Sequence, residues 1–326
     1  MTPITRRIAM ALTLCASATL AQAQGPAGTW PTGPVKIVVP FPAGGSTDLT
    51  AREVAQGLTQ RFGQPFIVEN RPGAASTLGT AAVAKAPADG YTFLITSSHF
   101  AIVPGLYKQL PYDPVKDLRG VSLLVNLPVI LVATPKLPVK TVAELIEYDK
   151  KNPGKLNFGS SGNGGVNHLS GELFNSLAMT SLKHIPYKGT APAMQDLIGG
   201  HVQLMFDAVS TSLPNIQAGL IKPIAWTGAK RSATLPDLPT IAESGVKGYE
   251  STSWLAMFAP AGTPPEIVKL VSAEVRTALN KPDVHAKQVA MGAEVVTSTP
   301  EQLDATVRSE MAKWSQLINK LGVKAE

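Results

Sequence analysis

The sequence predicts an α/β protein built as two domains, and three observations carry that prediction. Short β-branched or apolar runs alternate with stretches whose apolar residues recur at helical spacing, the order expected of parallel strands covered by helices. The chain is 326 residues long, room for two cores at roughly 100–200 residues per domain. Its composition is that of a folded chain: 44% hydrophobic and 16% charged residues, with 28 Gly and 27 Pro, well short of the roughly 25–30% Gly plus Pro of low-complexity sequences.

The first 23 residues read as a cleavable leader. Arg6 and Arg7 are a basic start, residues 8–20 are apolar, and Ala21-Gln22-Ala23 is a small-x-small cleavage site, so the mature chain is expected to begin at Gln24. Ile8-Ala9-Met10 after the paired arginines fits a twin-arginine motif poorly, which favours Sec export. Both routes lead to the periplasm. Cys15 is the single cysteine and lies in the leader, and Leu14 before it is not the small residue a lipoprotein needs. The mature chain is therefore expected to form no disulfide, cysteine-metal site or thiol nucleophile.

No later segment approaches 18 uninterrupted apolar residues; the richest, 121–133, is broken by Asn126 and Pro128. The formal charge is +6, loses two with Arg6 and Arg7, and includes no run of five or six basic residues, which argues against nucleic-acid binding. A mildly basic surface either attracts anions or serves only solubility.

The elements follow in order. Residues 35–40 (VKIVVP) are a strand, succeeded by a turn-rich loop and by Ala51, Ala55, Leu58 and Phe62 at helical spacing. A strand at 66–69, a helix at 75–86 and, after Ala88-Asp89-Gly90, a strand at 91–96 repeat the pattern. From about Val121 a second series begins, with strands at 129–133, 156–159, 182–186, 202–206 and 221–226, one of its helices opening on the capping box Thr141-Val142-Ala143-Glu144. Residues 253–260 are another strand, followed by Thr263-Pro264-Pro265-Glu266, a capping box with Pro at the first helical position. Thr299-Pro300-Glu301-Gln302 repeats the device before a terminal helix whose Leu303, Val307, Met311, Trp314, Ile318 and Leu321 form one apolar stripe. That helix is expected to return to the first domain. The chain then divides into a leader (1–23), a first domain (24–123 with 251–326) and a second (124–250).

Two loops stand out. PFPAGGSTD, 40–48, follows a strand and opens a helix; Gly44-Gly45 allows close backbone approach, and Ser46, Thr47 or Asp48 can cap the helix, leaving amides aimed at an anion. It lacks the Gly-Lys-Ser/Thr ending of a Walker loop, and a plain capped turn stays as open as a binding loop. GSSGNGGVNH, 159–168, has the same setting. Its glycines do not fit G-x-G-x-x-G, and Asn163 stands where G-x-S-x-G needs its last Gly, so Ser161 is a poor nucleophile elbow. Two such loops, one per domain, point to helix N-termini facing across a cleft. None of the histidines 99, 168, 184, 201 and 285 has metal-ligand spacing; His99 and His168 are best placed to line a cleft. Asp207, after an apolar strand, either caps the next turn or faces a ligand.

With these residues in hand, the chain resembles the Bug family of extracytoplasmic solute-binding proteins, receptors associated with tripartite tricarboxylate transporters. The matching stretches are PFPAGGSTD (40–48), ENRPGAAST (69–77), ADGYT (88–92), GSSGNGG (159–165), PYKGTAPAMQDL (186–197) and APAGTPPEI (259–267), in order along nearly the whole mature chain. The resemblance implies a two-domain Venus-flytrap fold of type II-like topology with two crossing segments, for which 121–125 and 250–254 are the hinge candidates. It implies a non-enzymatic receptor for a small carboxylate (a di- or tricarboxylate, an aromatic acid or an amino acid), with no cofactor and no metal. The ligand residues it implies are Phe41, Ala43, Gly44, Gly45, Ser46 and Asp48 with Ser97 and Ser98 on the first domain, and Ser160, Ser161, Gly162, Asn163, His168, Thr190, Ala191 and Asp207 on the second. The implied partner is a membrane permease, with a sensor kinase as the alternative, and the receptor is expected to be a monomer. The rival from another class is an exported α/β hydrolase with a Ser in 159–165 and His168 or His99 as base; a positioned Ser-His-acid set would favour it.

Overall fold

A computed structural model describes residues 30–323; the expected leader, with Cys15 and the cleavage site at Ala23, lies outside them. The described chain starts with β1 (Val35–Val39), α1 (Ser46–Phe62), β2 (Phe66–Asn70), α2 (Thr77–Ala84), β3 (Thr92–Ser97), α3 (His99–Leu106) and β4 (Leu118–Leu127). It continues as β5 (Val129–Ala133), α4 (Val142–Lys151), β6 (Asn157–Ser160), α5 (Val166–Ala178), β7 (Lys183–Pro186), α6 (Thr190–Gly199), β8 (Leu204–Ala208), α7 (Val209–Gln217) and β9 (Lys222–Trp226). It ends as β10 (Ser253–Pro260), α8 (Pro265–Leu279), α9 (Pro282–Ala290), β11 (Glu294–Val295) and α10 (Pro300–Leu321).

Two sheets form, in the orders β11-β4-β10-β3-β1-β2 and β7-β6-β8-β5-β9. Neither is wholly parallel. β1 pairs in parallel with β2 and β3, and β6 with β7 and β8, while β10 is antiparallel to β3 and β4, and β5 to β8 and β9. β11, two residues at the edge, is antiparallel to β4; β10 and β5, each antiparallel to both of its neighbours, are the strands that have just arrived from the other sheet. A strand that begins at the crossing must run away from it, whereas β1–β3 and β6–β8 run toward it and deliver their C-terminal loops to the gap between the sheets.

The first passage is at Pro128. Leu127 still pairs with Ser253 in the first sheet and Val129 already pairs with Ala208 in the second; proline, with no N–H to give to either ladder, stands where the ladder changes. Residues 121–125, expected to carry a hinge, lie instead inside β4, as does the expected boundary at 123/124. The return passage runs through Ser251 and Thr252, where Ser251 and Thr227 exchange bonds: Ser251 N donates to Thr227 O (2.8 Å), and Thr227 Oγ1 to Ser251 O (2.6 Å).

Each sheet buries both faces. α1 and α8 cover one face of the first through Val54, Leu58, Val271 and Val275, and α2, α3 and the start of α10 cover the other. The apolar stripe of α10 is shared between domains. Leu303 and Val307 pack in the first, as expected, but Trp314, Leu317 and Ile318 join Leu169, Phe174 and Phe206 of the second, with Ile102 of α3. Leu321 stays 39% exposed.

The capping boxes differ in outcome. Thr299 makes the full reciprocal box, and Thr141 Oγ1 accepts Glu144 N while Glu144 takes the Lys140 amide instead. Thr263 does not cap α8: Pro264 holds the N-cap position and Pro265 the first helical one, so the two fixed φ angles start the helix one residue later than the box requires.

Candidate functional site

On the first domain the loops after β1, β2 and β3 surround a recess of about 410 Å³, lined by Pro40, Phe41, Pro42, Pro72, Gly73, Ala75, Ser76, Ser97 and His99. Its walls are apolar, its polar groups few, and no Lys or Arg lines it. Of the expected residues, Phe41 and Ser97 line the recess directly, and Ala43, Gly44, Gly45 and Ser46 are exposed at the loop before α1. Gly45 is the N-cap of α1 and supplies no side-chain cap, which leaves the first amides and the positive end of α1 for another partner.

Asp48 was expected at the ligand and lies behind the loop. It is 2% exposed, and its carboxylate accepts Gly44 N (2.9 Å), Asn70 Nδ2 (2.9 Å) and Arg52 Nε (3.0 Å). Burial by itself would raise its pKa; these bonds outweigh burial and hold it below the ordinary value. Asn70 also donates to Phe41 O (3.1 Å), so one carboxylate and one amide shape the whole turn, in which Gly44 takes φ 87°. Ser98 is likewise buried, its Oγ 3.1 Å from Ser253 Oγ and its N–H donated to Trp254 O; it ties the recess to the return passage. His99 is half-buried, and burial pushes its imidazole below the usual value, so it is neutral at pH 7.

The segment after β2 contributes residues that the sequence reading quoted only as a matching stretch. Ala74, Ala75 and Ser76 take left-handed φ of 45°, 50° and 73° in succession, a run that costs about 1–2 kcal/mol per residue. Thr77 N and Oγ1 both donate to Ala74 O (3.0 and 2.7 Å), and α2 presses on the loop because Gly79 has no side chain: a Cβ there would lie 2.9 Å from Pro40 Cβ and 2.7 Å from Arg71 O. Strain of this kind persists where the surroundings over-determine it, often at binding sites. No local signal in Arg71-Pro72-Gly73-Ala74-Ala75-Ser76 announces it.

On the second domain the loops after β6, β7 and β8 are contiguous. Gly189 N donates to Ser161 O (3.2 Å), and Asn167 Nδ2 reaches Phe206 O (2.6 Å) and Asp207 Oδ1 (3.4 Å). Ser161 and Gly162 are half-buried and Asn163 is exposed; Thr190 and Ala191 begin α6, whose N-cap Gly189, like Gly165 of α5, gives no side-chain cap. Asp207 is buried against the start of α7, where Thr211 and Ser212 hydroxyls donate to it; burial raises its pKa and these bonds oppose the rise. Of its two sequence readings, the structure places it in the turn.

Ser160 and His168 also lie beneath the loop. Ser160 is fully buried, His168 5% exposed. His168 Nδ1 accepts Gly164 N (3.0 Å), and its ring stacks on His184 at 3.7 Å and 11°. His184 Nε2 lies 2.6 Å from Ser160 Oγ. This is the nearest approach to the Ser-His set a hydrolase would need. Ser160 Oγ also lies 2.9 Å from Gly162 O and accepts Gly162 N at 3.2 Å, so the hydroxyl is tied into its own loop as well as to the ring. A buried, internally satisfied hydroxyl is no nucleophile.

None of these second-domain residues lines the first-domain recess. The two loop sets face each other across the gap, which is bridged at its margins where Leu106 meets Gly164 and Gly292 meets Ser210.

Two α/β domains joined by two passages, with loop sets and uncapped helix ends facing the gap, define a two-domain binding protein. The profile of the tripartite tricarboxylate transporter family receptors matches residues 50–323, and the chain belongs to that family, as the Bug resemblance implied. BugT of Bordetella pertussis is 37% identical over 300 residues, 91% of this chain and 92% of BugT. The structure of R. palustris Rpa4515 with adipate is 40% identical, with TM-score 0.75 over 90% of this chain and 99% of that one. A TctC solute-binding protein from Polaromonas with no ligand is 26% identical, with TM-score 0.81 over 90% and 100%. Receptors of this family are periplasmic solute-binding proteins, not enzymes; they bind small carboxylates and work with a tripartite transporter.

Proposed function

We propose that this receptor captures a small dicarboxylate between its two loop sets and closes its domains over it. One carboxylate sits in the first-domain recess, against Phe41, Ser97 and the amides of 43–46 at the start of α1. The other meets Ser161, Gly162 and Asn163, with Thr190 and Ala191 at the start of α6, when the second domain swings in. Asp48, Ser98, Ser160, His168 and Asp207 act behind these surfaces. The observation that carries the reading is the recess beside an uncapped helix N-terminus with no Lys or Arg in its lining, a setting in which a carboxylate is held by amides and the helix dipole. Rpa4515, with adipate, supplies the ligand class.

An open form explains why only first-domain residues line the recess. The higher TM-score to the ligand-free Polaromonas structure than to adipate-bound Rpa4515, despite lower sequence identity, supports it. Closure then bends the chain at Pro128 and at 251–252, within the domain division 24–123 with 251–326 and 124–250 shifted to those passages. A ligand touching both domains favours the closed state by its differential affinity. A monomer suffices for this cycle, export ends with cleavage after Ala23, and the closed form is what the permease, or a sensor kinase, would read.

The test is a thermal-shift and calorimetric screen of the chain from Gln24, refolded to strip retained ligand, against mono-, di- and tricarboxylates, aromatic acids, amino acids and neutral sugars. At 100 times Kd a ligand stabilises by about 2.7 kcal/mol. A dicarboxylate hit supports the reading; a response to neutral sugars alone, or to none of the acids, sinks it.

A further inference from the structure

The loop of 159–165 carries no charged side chain, yet it sits on two stacked imidazoles. His168 projects from the first turn of α5 and His184 from β7, and their rings lie 3.7 Å apart and 11° from parallel. Each ring holds a different part of the loop. His168 Nδ1 accepts the Gly164 amide at 3.0 Å. His184 Nε2 and Ser160 Oγ share a hydrogen bond of 2.6 Å, and Ser160 Oγ lies 2.9 Å from Gly162 O. Phe158 closes the stack at 5.0 Å from the His184 ring.

We propose that His168 and His184 are positioning residues for ligand capture: as a stacked, hydrogen-bonded pair they fix the backbone of 161–165, at the head of α5, in the arrangement that meets the ligand. The inference rests on the reading that this loop is the second-domain half of the site. Two features carry the role. Nδ1 of His168 is the acceptor for the Gly164 N–H, and the stacked His184 ring fixes both the orientation of His168 and the position of Ser160.

The surroundings disfavour charge on His184. Burial, then His168, pushes the His184 pKa down to about 4, with Glu172 opposing. Glu172, on α5, has Oε1 at 3.8 Å from His168 Nε2, beyond hydrogen-bond reach. Lys183 lies against Gly154, and Asp196 is held by the Tyr187 hydroxyl at 2.6 Å.

The proposal separates acceptor from ring. His168→Phe keeps a ring in the stack and removes the acceptor; His168→Asn places Oδ1 where Nδ1 was and removes the titration; His184→Gln keeps an N–H for Ser160. On the whole chain without ligand, ¹⁵N spectra of the wild type are expected to show the 161–165 amides moving together with the imidazole signals as pH falls from 7 to 4. Gly164 amide exchange should quicken at least tenfold in His168→Phe and recover in His168→Asn. With adipate as probe, affinity should fall at least tenfold in His168→Phe and be restored in His168→Asn. The double variant H168N/H184Q should keep its affinity where the wild type loses it toward pH 4, read as a ratio so that protonation of adipate cancels.

Wild-type exchange and affinity in the Phe variant, or loop amides that stay still while the rings titrate, would overturn the proposal. Should the Phe variant not fold, the wild-type titration decides by itself. A wild type that binds neither adipate nor any acid of the screen counts against the function proposed above, and the amide and exchange measurements still decide the positioning role.

Discussion

The loop before α1 and the loop before α5 do the same job in the two domains with opposite chemistry. Both follow a strand, both open a helix at a glycine N-cap, and neither has a side chain capping its first turn. The first is held from behind by ions: Asp48, 2% exposed, takes the Gly44 amide and is balanced by Arg52, whose side chain is 51% exposed. The second is held by two stacked imidazoles and a hydroxyl. The first arrangement needs its carboxylate ionised, and the bonds that hold Asp48 below the ordinary value keep it so into the ordinary carboxylate range, while the second meets its limit as pH falls toward the His184 value of about 4. Two other helices, α4 and α10, differ from both in closing their own N-termini with Thr141 and Thr299.

The largest break is expected from Asp48→Ala. It removes the acceptor that the half-buried Asn70 amide and the Gly44 N–H share, a loss of about 2 kcal/mol of stability together with acid binding; urea unfolding measures the first and calorimetry the second. Next comes pH. His184 has a folded pKa of about 4 against 6.5 unfolded, so between those values the unfolded chain binds more protons. Its contribution is therefore complete above pH 6.5 and lost as pH falls toward 4, about 1–2 kcal/mol once its partial exposure is allowed for. Urea midpoints from pH 7 to pH 4 check this, and His184→Gln should flatten the slope.

Gly45→Val probes the first loop without disturbing it. A Cβ at Gly45 meets nothing nearer than Pro42 O at 4.0 Å, and its φ of −79° suits any residue. Stability should fall by about 1 kcal/mol or less, while crowding of the amides weakens acid binding at least tenfold; unchanged affinity would remove the loop from the site. The smallest effect is Arg52→Gln. Its pair with Asp48 is half exposed, so about 0.5 kcal/mol is expected, fading as salt is raised.

Much of this was legible in the chain. Strands at 129–133 and 253–260 are where alternation and β-branching put them, and both glycine-rich loops lie between a strand and a helix. What escaped was contextual. No strand was read at β4: the second series was begun at about Val121, inside it, because the apolar run continues through Pro128 into β5, and periodicity cannot say on which sheet a strand hydrogen-bonds. The stripe of α10 was read as one surface; it is one surface, shared by two domains. Asp48 and His168 were placed at the ligand because they stand in the right loops. Both turn inward, Asp48 to Asn70 and His168 to His184, partners 22 and 16 residues away in sequence.

Residue type and spacing alone set the alternation of strands and helices, the two glycine loops that head α1 and α5, and the absence of Lys and Arg from both. These follow from residue type at short range: spacing sets the buried face, Gly and Pro set the turns, and the lack of Lys or Arg leaves backbone amides as donors. Only the tertiary structure decided which side chains meet the gap and which hold the loops from behind. A loop side chain turns to whichever partner satisfies it: Asp207 finds Thr211 and Ser212 in the next turn of chain, but Asn70 on β2 and His184 on β7 reach Asp48 and His168 through sheet pairing and helix packing rather than by nearness in the chain.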